Sequence, residues 1–421
     1  MGISDKLVNA AYKAKPVIKK IVPEKILHSA KAGILDHQFK QIVDKGRQPF
    51  DRKAYPDGIN LIGLLRAQMG LGQSARLIAN ELKHSDINYA LYNFEMPFET
   101  QFHEDHSLDA LFENEYKYNI NLIHINPYEI TYLYRREDPK LWNKRYNIGF
   151  WLWELRDIPD SWIKCVPMLD EIWTPSDFIT KSFKKVVNVP VKTMPYCVTV
   201  DASEKYDRAY FGLPDDKFLF LVMYDSNSTM ARKNPVGAIK AYKRAFREEK
   251  SDVGIVIKIN NPRPQDIEHL KKGLAGYKNV YFLTDTYTKQ QVDSLIKDID
   301  VFVSLHRAEG YGLVMAEAML LGTPCIATNW SSNTEFMNND VACMVDYSFS
   351  KLERDYPPYK AGVTWAEPDL SHAAKYMRQL YKDRTFYNKL RTNARIYAGE
   401  KMSMENAVSC IEKRVKEIYE R

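Results

Sequence analysis

Val301-Phe302-Val303-Ser304-Leu305-His306-Arg307-Ala308-Glu309-Gly310-Tyr311-Gly312-Leu313-Val314-Met315-Ala316-Glu317-Ala318-Met319 decides the fold. The apolar run 301–305 reads as a buried strand, and residues 306–311 as a loop rich in polar residues and glycine. From Gly312 to Leu321 the chain reads as an apolar helix, and Pro324–Ala327 resumes a strand. Strand, loop, helix and strand in this order are one step of a parallel sheet wound with helices on both faces.

The same alternation extends upstream. Phe218–Tyr224, Val253–Ile259 and Val280–Leu283 read as strands, separated by helices at Pro235–Arg247 and Asp266–Ala275 and followed by one at Lys289–Lys297. Earlier still, Ile59–Leu65, Tyr89–Phe94, Asn121–Ile125, Asn147–Trp153 and Glu171–Thr174 read as five strands. A Gly-x-Gly turn and a short helix Arg76–Lys83 follow the first, and a helix Asp177–Val186 follows the fifth. The expected fold is α/β, with two doubly wound Rossmann-like domains facing a cleft. Their expected extents are 55–205 and 206–385, the boundary falling near 196–212. A basic helical arm (1–54) precedes them, and C-terminal helices (386–421) pack back towards the first domain. Ligands of such sheets bind outside the carboxyl ends of the strands.

Chemistry concentrates at those ends. Gly310 and Gly312 let the backbone approach a ligand closely. The unsatisfied amides of the helix that follows, with its dipole, suit a phosphate. Glu309 sits in the loop. Glu317, after seven intervening residues, lies one to two turns into the helix, where a carboxylate can accept two ribose hydroxyls. Arg232-Lys233-Asn234-Pro235 opens another helix. Two cations at a helix start oppose its dipole, and a bound anion offsets that cost. Gln68-Met69-Gly70-Leu71-Gly72-Gln73-Ser74-Ala75-Arg76 lacks the third glycine of a dinucleotide fingerprint and reads as a strand-to-helix turn or a ligand loop. His124 and Asn126 close a strand. Trp151, Trp153 and Trp162 suit core packing, or stacking on a sugar.

These motifs resemble the retaining GT-B glycosyltransferases of family 4 (glycosyl transferases group 1), whose hallmark Glu-x7-Glu is matched by Glu309 and Glu317. Leu320–Ala327 matches the pattern that follows it, and the likeness continues through Asn329–Met337. Gly149–Leu155 and Asp170–Ser176 look like a bacterial polysaccharide-assembly branch. The resemblance runs from about residue 58 to 400. It implies that Glu309 contacts the donor sugar hydroxyls, that Glu317 holds the ribose, and that the backbone of Gly310, Tyr311, Gly312 and Leu313 cradles the diphosphate. It also gives Gly70 and Gly72 a place facing the donor phosphates and acceptor, and His124 one near the sugar 6-hydroxyl. Thr284 falls where the family holds the base edge. The family's arginine five or six residues before its lysine is replaced by Ser228 and Asn227. Arg232 and Lys258 are the candidates for that second cation, and Asn126 and Trp153 for acceptor contacts.

The implied activity is a hexosyltransferase taking a nucleotide-diphosphate sugar and a glycan, lipid-linked or protein acceptor, with no cofactor and no metal. The nearest look-alikes of a metal-binding acidic pair, Asp105 and Asp109, lack partners in the sequence. No second carboxylate is evident on the first domain, which disfavours a double displacement. A sugar-nucleotide epimerase of the same fold and a non-catalytic partner of a membrane glycan-assembly complex are the alternatives.

Charge sharpens the picture. The 421 residues carry a formal net charge of +6, yet residues 1–53 hold 12 Lys/Arg against 5 Asp/Glu, a local +7. The catalytic body is therefore close to neutral. The arm reads as helical pieces broken at Pro16 and Pro23. Ile26, Leu27, Ala30, Ile34, Leu35, Phe39, Ile42 and Val43 recur at helical spacing, interleaved with lysines. Such a helix lies on an anionic membrane surface or packs on its own domain. Nothing beyond the arm supports nucleic-acid binding. No run of 18 apolar residues and no signal-peptide core occurs, and the 5 scattered cysteines offer no CxxC pair. The expected place is the cytoplasm, peripheral on the inner face of the plasma membrane.

Overall fold

The computed structural model describes residues 37, 39–41, 43–95, 105–136, 141–248 and 250–421. The first sheet comprises β1 (Ile59–Gly63), β2 (Tyr89–Asn93), β3 (Ile120–His124), β4 (Tyr146–Phe150), β5 (Glu171–Thr174) and β6 (Val191–Thr193), in the order β2-β1-β3-β4-β5-β6. All its pairings are parallel, with Ile59 opposite both Tyr89 and Ile120. The strands at its centre are buried on both faces, as a parallel sheet covered by helices requires. Helices α1 (Gly70–Lys83), α2 (Pro127–Arg136) and α3 (Asp177–Phe183) connect them.

The second sheet repeats the plan. It comprises β7 (Phe218–Asp225), β8 (Val253–Asn260), β9 (Val280–Leu283), β10 (Val301–Ser304), β11 (Cys325–Thr328) and β12 (Cys343–Val345), in the order β12-β11-β10-β7-β8-β9. Its helices are α4 (Pro235–Ala245), α5 (Pro264–Gly273), α6 (Lys289–Asp298) and α7 (Leu313–Leu321). An antiparallel hairpin, β13 (Tyr347–Lys351) and β14 (Thr364–Pro368), follows, then α8 (Leu370–Lys382), α9 (Arg384–Lys401) and α10 (Met404–Tyr419). The two-sheet α/β expectation holds.

Helix α1 begins at Gly70, six residues before the expected start. Gly72 sits inside its first turn because a Cβ there would lie 2.0 Å from the Ala67 carbonyl oxygen. Close packing thus overrides the poor helix propensity of glycine. The last helix, α10, leaves the second domain and packs on α1 of the first. Arg414 on α10 makes a two-pronged ion pair with Glu171 at the start of β5, where the carboxylate is fully buried. Tyr419 donates to the side chain of Asn119 at 2.8 Å and accepts from the Gly58 N–H at 2.9 Å. One hydrophobic cluster runs through both domains, holding Leu61 and Ile148 of the first sheet and Leu221 and Phe302 of the second.

Most of the expected basic arm lies outside the described residues. Its described end packs on the first domain. Phe39 is buried edge-on against Tyr134 with ring centroids 5.5 Å apart, and Arg47 pairs with Asp170 at 2.6 Å. Among the described residues no helix is long and apolar enough to cross a membrane.

Candidate functional site

A cleft of about 360 Å³ opens between the carboxyl ends of the two sheets. Met69, Gly70, Gln73, Arg76 and Asp105 line one wall. Lys233, Asn260, Asn261, Tyr287, Lys289, Leu313, Val314 and Glu317 line the other.

Local structure sets the second wall. Asn234 adopts a left-handed conformation (φ 53°), unusual outside glycine. Its side chain accepts from the Gly237 N–H at 3.0 Å, capping α4, and donates to the Leu305 carbonyl at 2.8 Å. That tie fixes the Arg232–Lys233 turn beside the loop leaving β10. The Lys233 ammonium there donates to the Glu309 carboxylate, and Arg232 Nη1 lies 3.3 Å from the same oxygen. The Glu309 N–H donates to Ser331 Oγ at 3.0 Å. Burial alone would raise the Glu309 pKa, but Lys233 and Arg232 outweigh it and hold the carboxyl at about 2.

Arg232 is buried behind this carboxylate rather than in the cleft. It donates to the Ala308 carbonyl at 2.9 Å, and Nη2 lies 3.6 Å from Glu154 of the first domain. Burial opposes its charge, and Tyr359, Glu154 and Glu309 hold it on. The cleft cations are instead Lys233, Lys289 and Arg76. Arg76 donates to the Leu65 and Ala67 carbonyls and stands 3.4 Å from Asp105. Asp105 therefore has a partner and puts a carboxylate on the first domain's wall, and Asp109 pairs with Arg66 at 2.8 Å. The carboxylate on that wall corrects the sequence reading of none on the first domain, because Asp105 reaches the cleft only through the fold.

Gly312 (φ 100°) caps α7 without a side-chain bond, so Leu313 and Val314 bring the start of that helix to the cleft. Glu317, one turn on, accepts from Lys289 at 3.2 Å, and Lys289 is also bound by both oxygens of the buried Asp293. Burial pushes the Glu317 carboxyl up to about 7, Lys289 opposing and Asp293 adding to the rise. Nothing in the linear pattern points to Lys289. The capping box at Thr288 and Gln291 marks the helix start but not the ion pair.

Other expected residues stand elsewhere. Gly70 faces open space at the cleft, whereas Gly72 serves packing. Gly310 faces the first domain, where a Cβ would lie 3.3 Å from the Trp153 carbonyl oxygen. Tyr311 is buried, edge-on to Tyr196 at 4.9 Å. Lys258 is fully buried and donates to Asn260 Oδ1 at 2.6 Å and the Asp285 carbonyl at 2.9 Å, burial drawing its pKa down to about 8. Thr284 is half-buried at the end of β9, two residues before the cleft-lining Thr286.

His124 is wholly buried. It stacks on Phe150 at 4.7 Å and shares a 2.6 Å hydrogen bond with Ser74, and burial lowers its pKa to about 4. Asn126 accepts from the Leu152 N–H, and its carbonyl accepts from the first turn of α2. Trp153 is buried between Trp162 and Tyr359 and donates to the Asp157 carbonyl. These three residues hold the scaffold below the cleft.

Residues 207–397 match the family model described as "Glycosyl transferases group 1". No curated protein sequence matches the chain. Solved structures with the same architecture include Anabaena Alr3699/HepE in complex with UDP-glucose, at 13% identity and TM-score 0.64, covering 86% of this chain and 100% of that one. A glycosyltransferase from Rickettsia africae aligns at 13% identity and TM-score 0.63, covering 86% and 99%. Sucrose-phosphate synthase from Thermosynechococcus elongatus aligns at 13% identity and TM-score 0.61, covering 89% and 99%. Against S. aureus TarM, at 13% identity and TM-score 0.52, 70% of the chain aligns and spans 55% of that protein. The fold is thus that of the GT-B glycosyltransferases.

Proposed function

We propose that the chain is a retaining glycosyltransferase of the hexosyltransferase type. It moves a sugar from a nucleotide-diphosphate sugar to a glycan, lipid-linked or protein acceptor in cell-surface polysaccharide or glycoconjugate synthesis. The observation that carries this reading is the spacing of two ion pairs on one wall. Lys233–Glu309 lies at the end of β10, and Lys289–Glu317 one turn into α7, with the uncapped start of α7 between them. That order suits the sugar, diphosphate and ribose of one extended donor. The group 1 match covers this whole wall.

In the proposed mechanism the donor diphosphate takes Lys233 from its resting ion pair, and the α7 amides share the charge that develops as the sugar leaves. Arg76 adds a cation from the opposite wall as the domains close and exclude water. Glu309, released from Lys233 but still held by Arg232, orients the sugar hydroxyls and stabilises the oxocarbenium-like state. The acceptor hydroxyl attacks from the face the diphosphate leaves, and a diphosphate oxygen accepts its proton. Glu317 accepts hydroxyls of the ribose. Charge stabilisation comes from these side chains and amides rather than from a metal, so turnover persists in EDTA. The arm of residues 1–46 brings the enzyme to an anionic membrane face from the cytoplasmic side.

A thermal-shift screen over UDP-, GDP- and dTDP-sugars tests donor binding, since a ligand of the native state raises its stability. Mass spectrometry with and without a glycan acceptor then separates transfer from epimerisation. The proposal fails if no nucleotide sugar shifts the melting temperature.

A further inference from the structure

Three charged or polar groups from three separate chain segments meet behind Glu309. Glu154 lies in the loop after β4, in the first domain. Its Oε2 accepts from the Tyr359 hydroxyl at 3.0 Å, and its Oε1 stands 3.6 Å from Arg232 Nη2. Tyr359 belongs to the hairpin between β13 and β14, in the second domain. Arg232 in turn holds Glu309 and the Ala308 carbonyl.

We infer that Glu154 is a positioning residue for Glu309, acting across the domain boundary through Arg232. Arg232, Glu309 and Tyr359 are all more than nine-tenths buried. A buried guanidinium needs its charge answered and its N–H groups satisfied. Arg232 has one carboxylate in each domain, Glu154 at Nη2 and Glu309 at Nη1. With Glu154 withdrawn, Glu309 becomes the sole carboxylate on Arg232, and the guanidinium is free to turn towards it. The carboxylate then loses the fixed placement that orienting a sugar requires.

Two further contacts make the link local to this loop. Gly310, next to Glu309, rests on the Trp153 carbonyl, immediately before Glu154. Arg307 donates to the Ala231 carbonyl at 2.5 Å and pairs with Glu367 on β14, so the hairpin carrying Tyr359 is clamped to the same turn. The alignment of Glu309 therefore depends on the first domain being docked.

The inference rests on the transfer reading above, and Glu154→Gln tests it without disturbing that reading. The amide keeps an acceptor for Tyr359 and removes the charge that answers Arg232. We expect kcat to fall about tenfold or more, with donor KM within about twofold of wild type and with the thermal shift produced by UDP alone unchanged. Glu154→Asp should recover part of kcat. Tyr359→Phe should show a smaller loss of the same kind. If wild type turns over and E154Q matches it, the positioning role is overturned while the site reading stands. If E154Q loses kcat but also loses the UDP shift, or if Glu154→Asp restores nothing, Glu154 merely holds the interface together and the inference is overturned. If wild type binds no nucleotide sugar, it is the site reading that fails.

Discussion

Lys233 and Glu309 stand 76 residues apart in the chain and share one hydrogen-bonded ion pair, with Lys233 in the lining of the cleft. Lys233 is a quarter exposed, whereas Glu309 is nearly buried. The lysine can therefore turn to an entering anion while the glutamate stays in place against Arg232.

Glu309→Gln should lower transfer by about 10²–10³-fold, the scale for losing one preorganised electrostatic contact at a transition state. It should also lower the melting temperature, because buried Arg232 keeps only Glu154. Turnover measured beside scanning fluorimetry checks both. Lys233→Met should cut kcat/KM on the same scale with a smaller stability change.

Glu317 titrates near pH 7. Only its ionised form accepts two ribose hydroxyls, so donor affinity should strengthen as pH rises through 7. Glu317→Gln should abolish that slope, as calorimetric titrations of UDP at pH 6 and pH 8 would show.

His124→Asn tests whether the buried imidazole serves chemistry or packing. Loss of the Phe150 stack and the Ser74 hydrogen bond should cost about 1–3 kcal/mol of stability. Donor binding should persist. A variant that melts like wild type but no longer turns over would return His124 to the reaction.

Two buried carboxyls should make stability depend on pH in opposite senses. The Glu309 carboxyl is held at about 2, so its contribution is complete above the ordinary value of 4.5 and fades as pH drops towards 2. Glu81 is buried with one oxygen bonded to the Cys197 N–H, and burial raises it to about 8. The folded chain therefore favours its neutral form, and stability declines between pH 4.5 and 8, at a limiting slope of about 1.4 kcal/mol per pH unit. Glu81→Gln should reduce that decline in a melting series over the same pH range.

Arg414→Ala leaves the Glu171 carboxylate buried with only the Tyr146 hydroxyl and Trp173 N–H as donors. A loss of about 3–5 kcal/mol is expected. Denaturant unfolding measures it.

Long apolar runs such as Phe218–Tyr224 and Val253–Ile259 made the central strands legible, because a strand buried on both faces needs them. β6 and β12 are three residues each, too short for a pattern to register. The β13–β14 hairpin carries exposed Ser348 and Phe349 and shows no clean alternation. At the site, Glu309, Gly312 and Glu317 were readable because one loop and one helix carry them all. Lys289, Asp105 and Glu154 were not, since each acquires its role from a contact between distant segments. Arg232 was readable as a cation beside Lys233, but its burial behind Glu309 depends on the turn at Asn234. That turn aims adjacent side chains in different directions.

The return of α10 to the first domain has a consequence for any attempt to dissect the protein. As a unit of folding, that domain is discontinuous in sequence. Expressed alone, 55–205 would lack the arginine that answers Glu171 and the tyrosine that ties Asn119 to Gly58. A circular permutant that fuses 404–421 ahead of residue 43 restores these ties within one contiguous fragment.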